Sequence, residues 1–193
     1  MGSLVTASSC APSGDSSLKQ NVKEGEDGQF LFIGDDIAIA QTEYGKVQGY
    51  LLNHVYTFLG VPYGADTSGK NRFMPPQKPE PWTDVRPAVF YGNTAPQRME
   101  NRWPNNYGTF ADHWNYWDVS EDCLYLNVWT PGIADGKKRP VLVWLHGGGF
   151  TNGSGIEQDG YHGENISREG DIVFCSINHR LGPIGFSDLS GVG

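Results

Sequence analysis

Three apolar runs in the second half of the chain have the length and composition of β-strands. Residues 141–145 and 172–176 are continuous apolar runs, which predict strands buried on both faces of a sheet. Residues 123–129 are a further strand candidate, and Thr130-Pro131-Gly132 ends it. A short helix is predicted at 161–169. The order strand, helix, strand is typical of a crossover in a mixed or parallel sheet, so the pattern predicts an α/β fold.

Shorter segments in the first half predict a small antiparallel sheet. Residues 37–42 and 46–50 flank Glu43-Tyr44-Gly45, which is the pattern of two strands joined by a glycine-containing turn. Residues 55–59 are a third strand candidate. Prolines recur between positions 61 and 104 and exclude a long helix there, so we expect this part to cover other elements as extended chain and turns.

The composition separates a tail from a folded portion. Up to about residue 28 the chain consists of Ser, Gly, Lys and Glu with isolated apolar residues, which cannot offset the entropy of ordering. We therefore divide the chain into a flexible leader or tag at 1–29 and a folded portion at 30–193. Cys10 follows Ala7-Ser8-Ser9, an arrangement faintly similar to a lipoprotein processing site. It favours a secreted or periplasmic location slightly over a cytoplasmic one and leaves the compartment open.

Charge and hydrophobicity narrow the class of ligand. The 193 residues have a formal net charge of -8, which argues against nucleic acid as a partner, and 38% are hydrophobic, which is enough for a buried core. No run approaches the roughly 20 apolar residues that span a bilayer. The histidines have no spacing typical of a metal site, and we expect neither a metal nor a cofactor. A neutral or weakly polar small molecule is the expected ligand.

The motif that carries chemistry is His146-Gly147-Gly148-Gly149-Phe150, directly after a predicted buried strand. Three glycines remove every Cβ and permit unusual backbone angles, so consecutive N–H groups can face one cavity instead of pairing in the sheet. Such amides can hold the oxyanion that develops in acyl transfer. The alternative is an ordinary glycine-rich turn that leaves a strand.

Five segments resemble, in the same order, the landmarks of the type B carboxylesterases, the cholinesterase-like branch of the α/β-hydrolases. They are Phe58-Leu59-Gly60-Val61-Pro62-Tyr63-Gly64, Arg72-Phe73, and residues 120–131, 140–155 and 178–186. The resemblance covers about residues 37–189. It implies an α/β-hydrolase fold, of which the folded portion would be the N-terminal part: a small antiparallel sheet that leads into an incomplete central mixed sheet.

The resemblance implies site residues by position. The backbone amides of Gly148 and Gly149 would be oxyanion donors, with His146 structural. Phe150 would contact the substrate, together with Trp114 and Trp117 from an aromatic-rich segment, residues 103–117. That segment has no regular period, and it forms either a loop packed on the body or a wall of the binding site.

Structural roles follow from the same resemblance. Arg72 and Glu121 occupy positions where the family commonly has a buried ion pair, and removing one partner would leave the other charge unpaired. The alternative is ordinary surface charge. In much of the family the cysteine at position 123 bridges an upstream cysteine. Ala95 stands at that upstream position here, so we expect Cys123 to be unbridged.

The family's nucleophilic serine, in an elbow flanked by glycines, lies further along than residue 193, and so do the acid and the histidine of the triad. The nearest internal match, around Ser187, lacks the closing glycine and follows no predicted strand. Ser154 is expected to be a turn residue. Arg180 matches a family arginine that usually pairs with an acid further along.

Two functions follow from these expectations. In the first, the chain is a segment of a carboxylesterase that acts on a small-molecule carboxylic ester, supplies the oxyanion hole and aromatic rim, and needs a complementing C-terminal hydrolase polypeptide for turnover. In the second, it belongs to a non-catalytic, cholinesterase-like binding or adhesion protein. An inactive truncated product is a third possibility.

Overall fold

The computed structural model describes residues 30–98 and 118–191, in which nine strands form two sheets. In chain order the strands are β1 (Leu31–Phe32), β2 (Ile39–Gln41), β3 (Lys46–Gln48), β4 (Tyr50–Leu52), β5 (Val55–Pro62), β6 (Arg86–Pro87), β7 (Tyr125–Thr130), β8 (Val141–Trp144) and β9 (Val173–Ile177). The helices are α1 (Glu164–Gly170) and α2 (Gly182–Phe186), with single 3₁₀ turns at Gly69–Asn71 and Asp159–Tyr161.

The larger sheet is mixed, as predicted. Its six strands have the order β1-β4-β5-β7-β9-β8. β8 and β9 are parallel, with Val141 opposite Val173 and Trp144 opposite Ser176, and α1 lies between them in the chain. The other neighbours are antiparallel. The predicted strand, helix, strand crossover is therefore confirmed.

The smaller sheet differs from the prediction in its third strand. β2 and β3 pair antiparallel around the turn at Gly45, as expected. The segment predicted at 55–59 instead forms β5, in the interior of the larger sheet between β4 and β7. The third strand of the small sheet is β6, which pairs parallel to β3. Its two residues, Arg86 and Pro87, lie among prolines and have no strand pattern, so sequence periodicity does not reveal them.

The two sides of β5 belong to two different hydrophobic clusters. Val55 and Leu59 pack with Trp129 and Phe174, and Ser167 of α1 donates a hydrogen bond from Oγ to the Trp129 carbonyl at 3.0 Å. The second cluster packs the small sheet against the large one and contains Phe58, Val61, Ala38, Val47 and Ala88. The register of β5 shifts between Phe58 and Val61. β5 thus joins both cores.

The helix between β8 and β9 begins later than predicted. Residues 161–169 were the expected helix, whereas α1 covers Glu164–Gly170 and follows the separate 3₁₀ turn. Gly163 lies directly against the rings of Trp129 and Phe174, where a Cβ would collide with both. The chain therefore touches the core at Gly163 before the helix starts.

The prediction that residues 141–145 are buried on both faces is wrong. β8 is the edge strand of the larger sheet, and its side chains are exposed, from 37% for Trp144 to 63% for Val141. Leu145, just after the strand, is 64% exposed. Within the described part of the chain β8 has a neighbour only on the β9 side. β9, by contrast, buries Phe174, Cys175 and Ser176, as predicted.

Cys123 is free and fully buried, as expected for an unbridged cysteine. It packs in one cluster with Ala95, Leu124 and Leu181. Ala95 is 2% exposed, so a small buried side chain fills the position where the resemblance implies a cysteine in related chains. Packing and hydrogen bonds, such as Thr94 N to Asp118 O at 2.8 Å, hold this junction instead of a covalent bond.

Both described thiols are expected to be unreactive in the folded chain. Burial raises the pKa of Cys123 to about 12 and that of Cys175 to about 11, so at pH 8 neither forms the reactive thiolate. In a Cys10→Ser variant, Ellman's reagent should label no thiol at pH 8 without denaturant and two thiols in guanidinium. Rapid labelling of either thiol in the native chain would contradict this burial.

The exposed apolar edge predicts self-association of the isolated chain. A long unpaired apolar strand pairs readily with another copy, and a lysine on such an edge opposes pairing. Val143→Lys should therefore keep the chain monomeric at micromolar concentrations where the unchanged chain forms larger species in size-exclusion chromatography with light scattering. Lys78→Arg, which keeps the charge on an exposed side chain elsewhere, is the control. Equal behaviour of all three chains would count against β8 as the associating edge.

Candidate active site

The glycine loop, residues 146–150, begins one residue after β8 ends and contains a run of N–H groups, at 147–150, that have no acceptor among the described residues. Within the described part of the chain, the N–H groups of Gly147, Gly148, Gly149 and Phe150 donate no hydrogen bond. Backbone N–H groups in folded proteins are rarely left unpaired, so a run of such groups marks a place where an acceptor from outside is expected.

Two carbonyl groups of the same loop accept hydrogen bonds. The Gly147 carbonyl lies 2.8 Å from Nδ1 of His146, and because a carbonyl only accepts, this nitrogen carries the proton. The Gly148 carbonyl accepts from Thr151 N at 3.1 Å, Thr151 Oγ1 at 3.0 Å and Asn152 N at 3.3 Å. In a planar trans peptide group the N–H points opposite to the C=O. Fixing these two carbonyls therefore fixes the directions of the Gly148 and Gly149 N–H groups.

Only glycine fits at position 148. Its φ is 123°, in the region that side-chain-bearing residues avoid, and a Cβ there would collide with the Asn152 carbonyl oxygen. Gly149 has φ 60° and Phe150 has φ 65°. A residue other than glycine in the left-handed region costs about 1 kcal/mol or more, so Phe150 holds a strained conformation beside the glycines.

Two neighbouring segments clamp the loop after its last glycine. Gln97 forms a pair of hydrogen bonds with Gly153: its Nε2 donates to the Gly153 carbonyl at 2.9 Å, and its Oε1 accepts from the Gly153 N–H at 2.7 Å. On the other side, Gly182 N donates to the Phe150 carbonyl at 2.7 Å. The loop is thus tied both to the covering segment and to the start of α2.

Asn178 joins four separate parts of the chain at the end of β9. Its side chain accepts from Gly155 N at 2.7 Å and donates to the Asn93 carbonyl at 2.9 Å. Its backbone N–H donates to Tyr125 O at 2.8 Å, and its carbonyl accepts from the Tyr63 hydroxyl at 2.7 Å. Asn178 is 3% exposed, so each of these bonds satisfies a polar group that would otherwise be costly to bury.

An open cavity of about 570 Å³ lies beside the loop. Gly147, Gly149 and Phe150 line it, and most of the remaining wall is apolar, including Leu124, Leu145, Ile177, Leu181 and Phe186. Gly148 lies between two lining residues. The described residues that line this cavity include no serine, cysteine, aspartate or glutamate. This wall can therefore bind an apolar group, but its described residues offer no nucleophile of those four types.

The hydroxyl of Tyr63, which lines the cavity, is less acidic than that of a free tyrosine. Burial, more than the nearby Cys123, raises the pKa of its hydroxyl above the usual range. The phenol therefore stays neutral at physiological pH and keeps donating to the Asn178 carbonyl. Its contribution is to hold the cavity wall in place.

Arg72 and Glu121 form an ion pair, as the resemblance implied. The prediction that the pair is buried is wrong. Nε of Arg72 lies 2.5 Å from Oε1 of Glu121, with the side chains 47% and 17% exposed. The hydrogen bond to Glu121 raises the pKa of Arg72. Arg180 donates from Nη1 to the Met74 carbonyl at 2.9 Å and so also binds the segment that contains Arg72. Solvent reaches the Arg72–Glu121 pair because this covering segment lies at the surface.

The structure brings Gly148, Gly149 and Phe150 together at the cavity. Trp114 and Trp117 lie outside the described residues, as do the whole segment 103–117 and the leader 1–29. Ser154 is buried and accepts a turn hydrogen bond from Ile156 N at 3.3 Å.

Sequence reasoning gave no role to Gln97 or Asn178. Asn178 stands in one of the segments that carried the resemblance, whereas no pattern singles out Gln97.

Two properties of residues 30–98 and 118–191 bear on metal binding and membrane insertion. No three His, Cys, Asp or Glu side chains there are arranged to hold a metal ion. No helix in those ranges is long and apolar enough to cross a bilayer.

Known proteins similar to this chain include esterases and related hydrolases. Phenmedipham hydrolase of Pseudarthrobacter oxydans is 44% identical over 155 residues, which are 80% of this chain and 30% of that protein. Acetylcholinesterase of Electrophorus electricus is 37% identical over 176 residues, covering 84% of this chain and 27% of that protein. A solved esterase from Clostridium hathewayi, described as hydrolysing aliphatic aromatic polyesters, superposes with a TM-score of 0.74 at 39% identity, covering 84% of this chain and 31% of its own.

The chain therefore spans about 30% of the length of such relatives. The family model described as the carboxylesterase family matches residues 36–191. That range includes the glycine loop and all but the first strand of the two sheets. The chain belongs to the carboxylesterase family, in its type B, cholinesterase-like branch.

Proposed function

We propose that this chain supplies the oxyanion hole of a serine-type carboxylic ester hydrolase, with the amides of Gly148 and Gly149 as two of its donors. The observation that carries the proposal is the loop itself: consecutive amides have no acceptor among the described residues, while the carbonyls behind Gly148 N and Gly149 N are hydrogen-bonded. Donors fixed before the reaction need no reorganisation when charge develops.

The loop would act on the transition state. When a nucleophile attacks an ester carbonyl, the carbonyl oxygen gains negative charge and the carbon becomes tetrahedral. N–H donors about 3 Å from that oxygen stabilise it more than they stabilise the neutral ester, so they lower the barrier. In the proposed assembly a third donor comes from the residue after the nucleophile.

The proposed substrate is a small-molecule ester with an apolar acyl or alcohol group. The cavity wall beside the loop is mostly apolar, and its volume of about 570 Å³ falls in the range of small-molecule sites. Phe150 is 67% exposed at the cavity and offers an aromatic face to the substrate. Trp114 and Trp117 are proposed to complete the aromatic rim.

The nucleophile, acid and histidine are proposed to lie on a complementing C-terminal hydrolase polypeptide, either separate or continuous with this chain. Two observations support this. The described lining residues contain no serine, cysteine or carboxylate, and β8, the strand that leads into the loop, is an apolar edge exposed on both faces. A strand of the complementing polypeptide beside β8 would cover this edge and place new residues next to the glycine loop.

The alternative is a non-catalytic binding or adhesion protein. It does not explain why the Gly147 and Gly148 carbonyls are fixed by hydrogen bonds. A binding surface gains nothing from amides kept free of acceptors, whereas an oxyanion hole requires them. The two alternatives also predict different outcomes for a complemented chain.

Complementation should create activity that the chain alone lacks. The test fuses residues 1–193 to the part of phenmedipham hydrolase that this chain does not match, and measures hydrolysis of p-nitrophenyl butyrate. We expect turnover by the chimera that a serine-directed phosphonate abolishes, and none by the chain alone. The proposal fails if the isolated chain, as a soluble monomer, hydrolyses the ester and is inhibited by the phosphonate. A folded chimera that binds esters without hydrolysing them would favour the binding protein.

Gly149→Val in the active chimera should lower kcat by roughly 10² to 10³, the usual cost of losing one oxyanion donor. Gly136→Val is the matched control, because Gly136 also has positive φ (73° against 60°), and a Cβ meets no atom within 4 Å at either position. Both variants place a β-branched residue at positive φ, yet only Gly149 lies at the cavity. Equal kcat values for the two variants would remove Gly149 from the oxyanion hole.

A further inference from the structure

Two histidines, one from the glycine loop and one from the segment after β9, stack face to face beside the cavity. The imidazole rings of His146 and His179 have centroids 4.5 Å apart and planes only 2° from parallel. They are 33 positions apart in the chain, and both line the cavity. The proposed function gives neither side chain a task.

Each imidazole also holds a backbone carbonyl. His146 Nδ1 lies 2.8 Å from the Gly147 carbonyl, and His179 Nδ1 lies 2.9 Å from the Arg180 carbonyl. Because a carbonyl oxygen only accepts, Nδ1 is the protonated nitrogen in both rings. The two rings are therefore fixed in orientation by bonds within their own segments, and the stack fixes one segment against the other.

Aromatic contacts continue from the stack to the far end of the loop. His179 meets the Phe186 ring edge-on at 5.8 Å, and Phe186 packs against Phe150 at 4.7 Å. Both ends of the glycine loop, His146 and Phe150, thus rest on side chains of the segment 178–186. The hydrogen bond from Gly182 N to the Phe150 carbonyl joins the same two segments.

The stack has a consequence for the proposed donor on Gly148. The Gly147 carbonyl and the Gly148 N–H belong to one planar peptide group, so the nitrogen that binds the carbonyl sets the direction of the N–H. A rotation of the His146 ring would release that carbonyl and let the peptide group turn. The face of His179 blocks this rotation.

We propose that His179 is a positioning residue for the oxyanion donor of Gly148, and that it acts through its stack on His146. This inference rests on the proposed function for its catalytic meaning. Its structural content, the coupling of the His179 ring to the Gly148 peptide group, is independent of whether the oxyanion hole is used.

The test compares His179→Ala, which removes the ring, with His179→Phe, which keeps a stacking face and loses only the bond to the Arg180 carbonyl. In the active chimera, His179→Ala should lower kcat roughly ten- to a hundredfold with little change in KM, because a misplaced donor weakens the transition state more than the bound ester. His179→Phe should restore kcat to within about threefold of the unchanged chimera.

His162→Ala is the matched control. The His162 ring also packs on an aromatic side chain, Trp129, at 5.1 Å, but it lies away from the loop. Its loss should lower the unfolding midpoint without lowering kcat. If His162→Ala lowers kcat as much as His179→Ala does, the effect is one of general stability and the proposal is wrong.

A second measurement needs no activity. In the isolated Val143→Lys chain labelled with ¹⁵N, His179→Ala should shift the Gly148 amide resonance and lower its heteronuclear ¹⁵N–¹H NOE, because the peptide group can then turn, and His179→Phe should leave both near their original values. An unchanged Gly148 amide in His179→Ala overturns the inference even if the chimera is active. The expected amide changes in a chain whose chimera is inactive would instead preserve the coupling and reject the proposed function.

Discussion

Peptide planarity is the constraint on which the glycine loop depends. An N–H group that must stay free for a ligand can be aimed only through the carbonyl on the other side of its peptide group. In this chain His146 holds one such carbonyl, and Thr151 with Asn152 holds the next. The free amides are thus oriented without being paired, and their burial cost is limited because the cavity beside them is open.

The sheet brings the supports of this loop together. β8 and β9 run parallel and end at the same edge, so the loop after β8 meets the segment after β9. That segment contributes Asn178, His179 and Phe186, which bind or pack against the loop and the residues around it. Ligand sites of open α/β sheets commonly lie at this carboxyl edge of parallel strands, for the same geometric reason.

The sequence predicts those features that depend on local chemistry. Continuous apolar runs identified β8 and β9, and three glycines after a strand identified the loop, because periodicity and the lack of Cβ atoms are visible in a single segment. The residues that pack against those segments are not visible in any single segment. The stack of His146 on His179 and the clamp of Gln97 on Gly153 join residues that only the fold makes neighbours. The exposure of β8 was mispredicted because an apolar run does not show whether its strand lies in the interior or at the edge of the sheet.

The pairing of β5 with β7 bears on the order in which the chain folds. Gly60 N–H binds Asn127 Oδ1 across 67 residues, in the middle of the larger sheet. Contacts this distant must first close a long loop, whereas β8, α1 and β9 are consecutive in the chain. The crossover unit that carries the glycine loop pairs residues closer in the chain than those that join β5 to β7, such as Val141 with Val173. By contact order, docking β5 onto β7 is expected to be slower than forming that unit, and until it occurs the apolar faces of β7 and β9 are uncovered in a newly made chain.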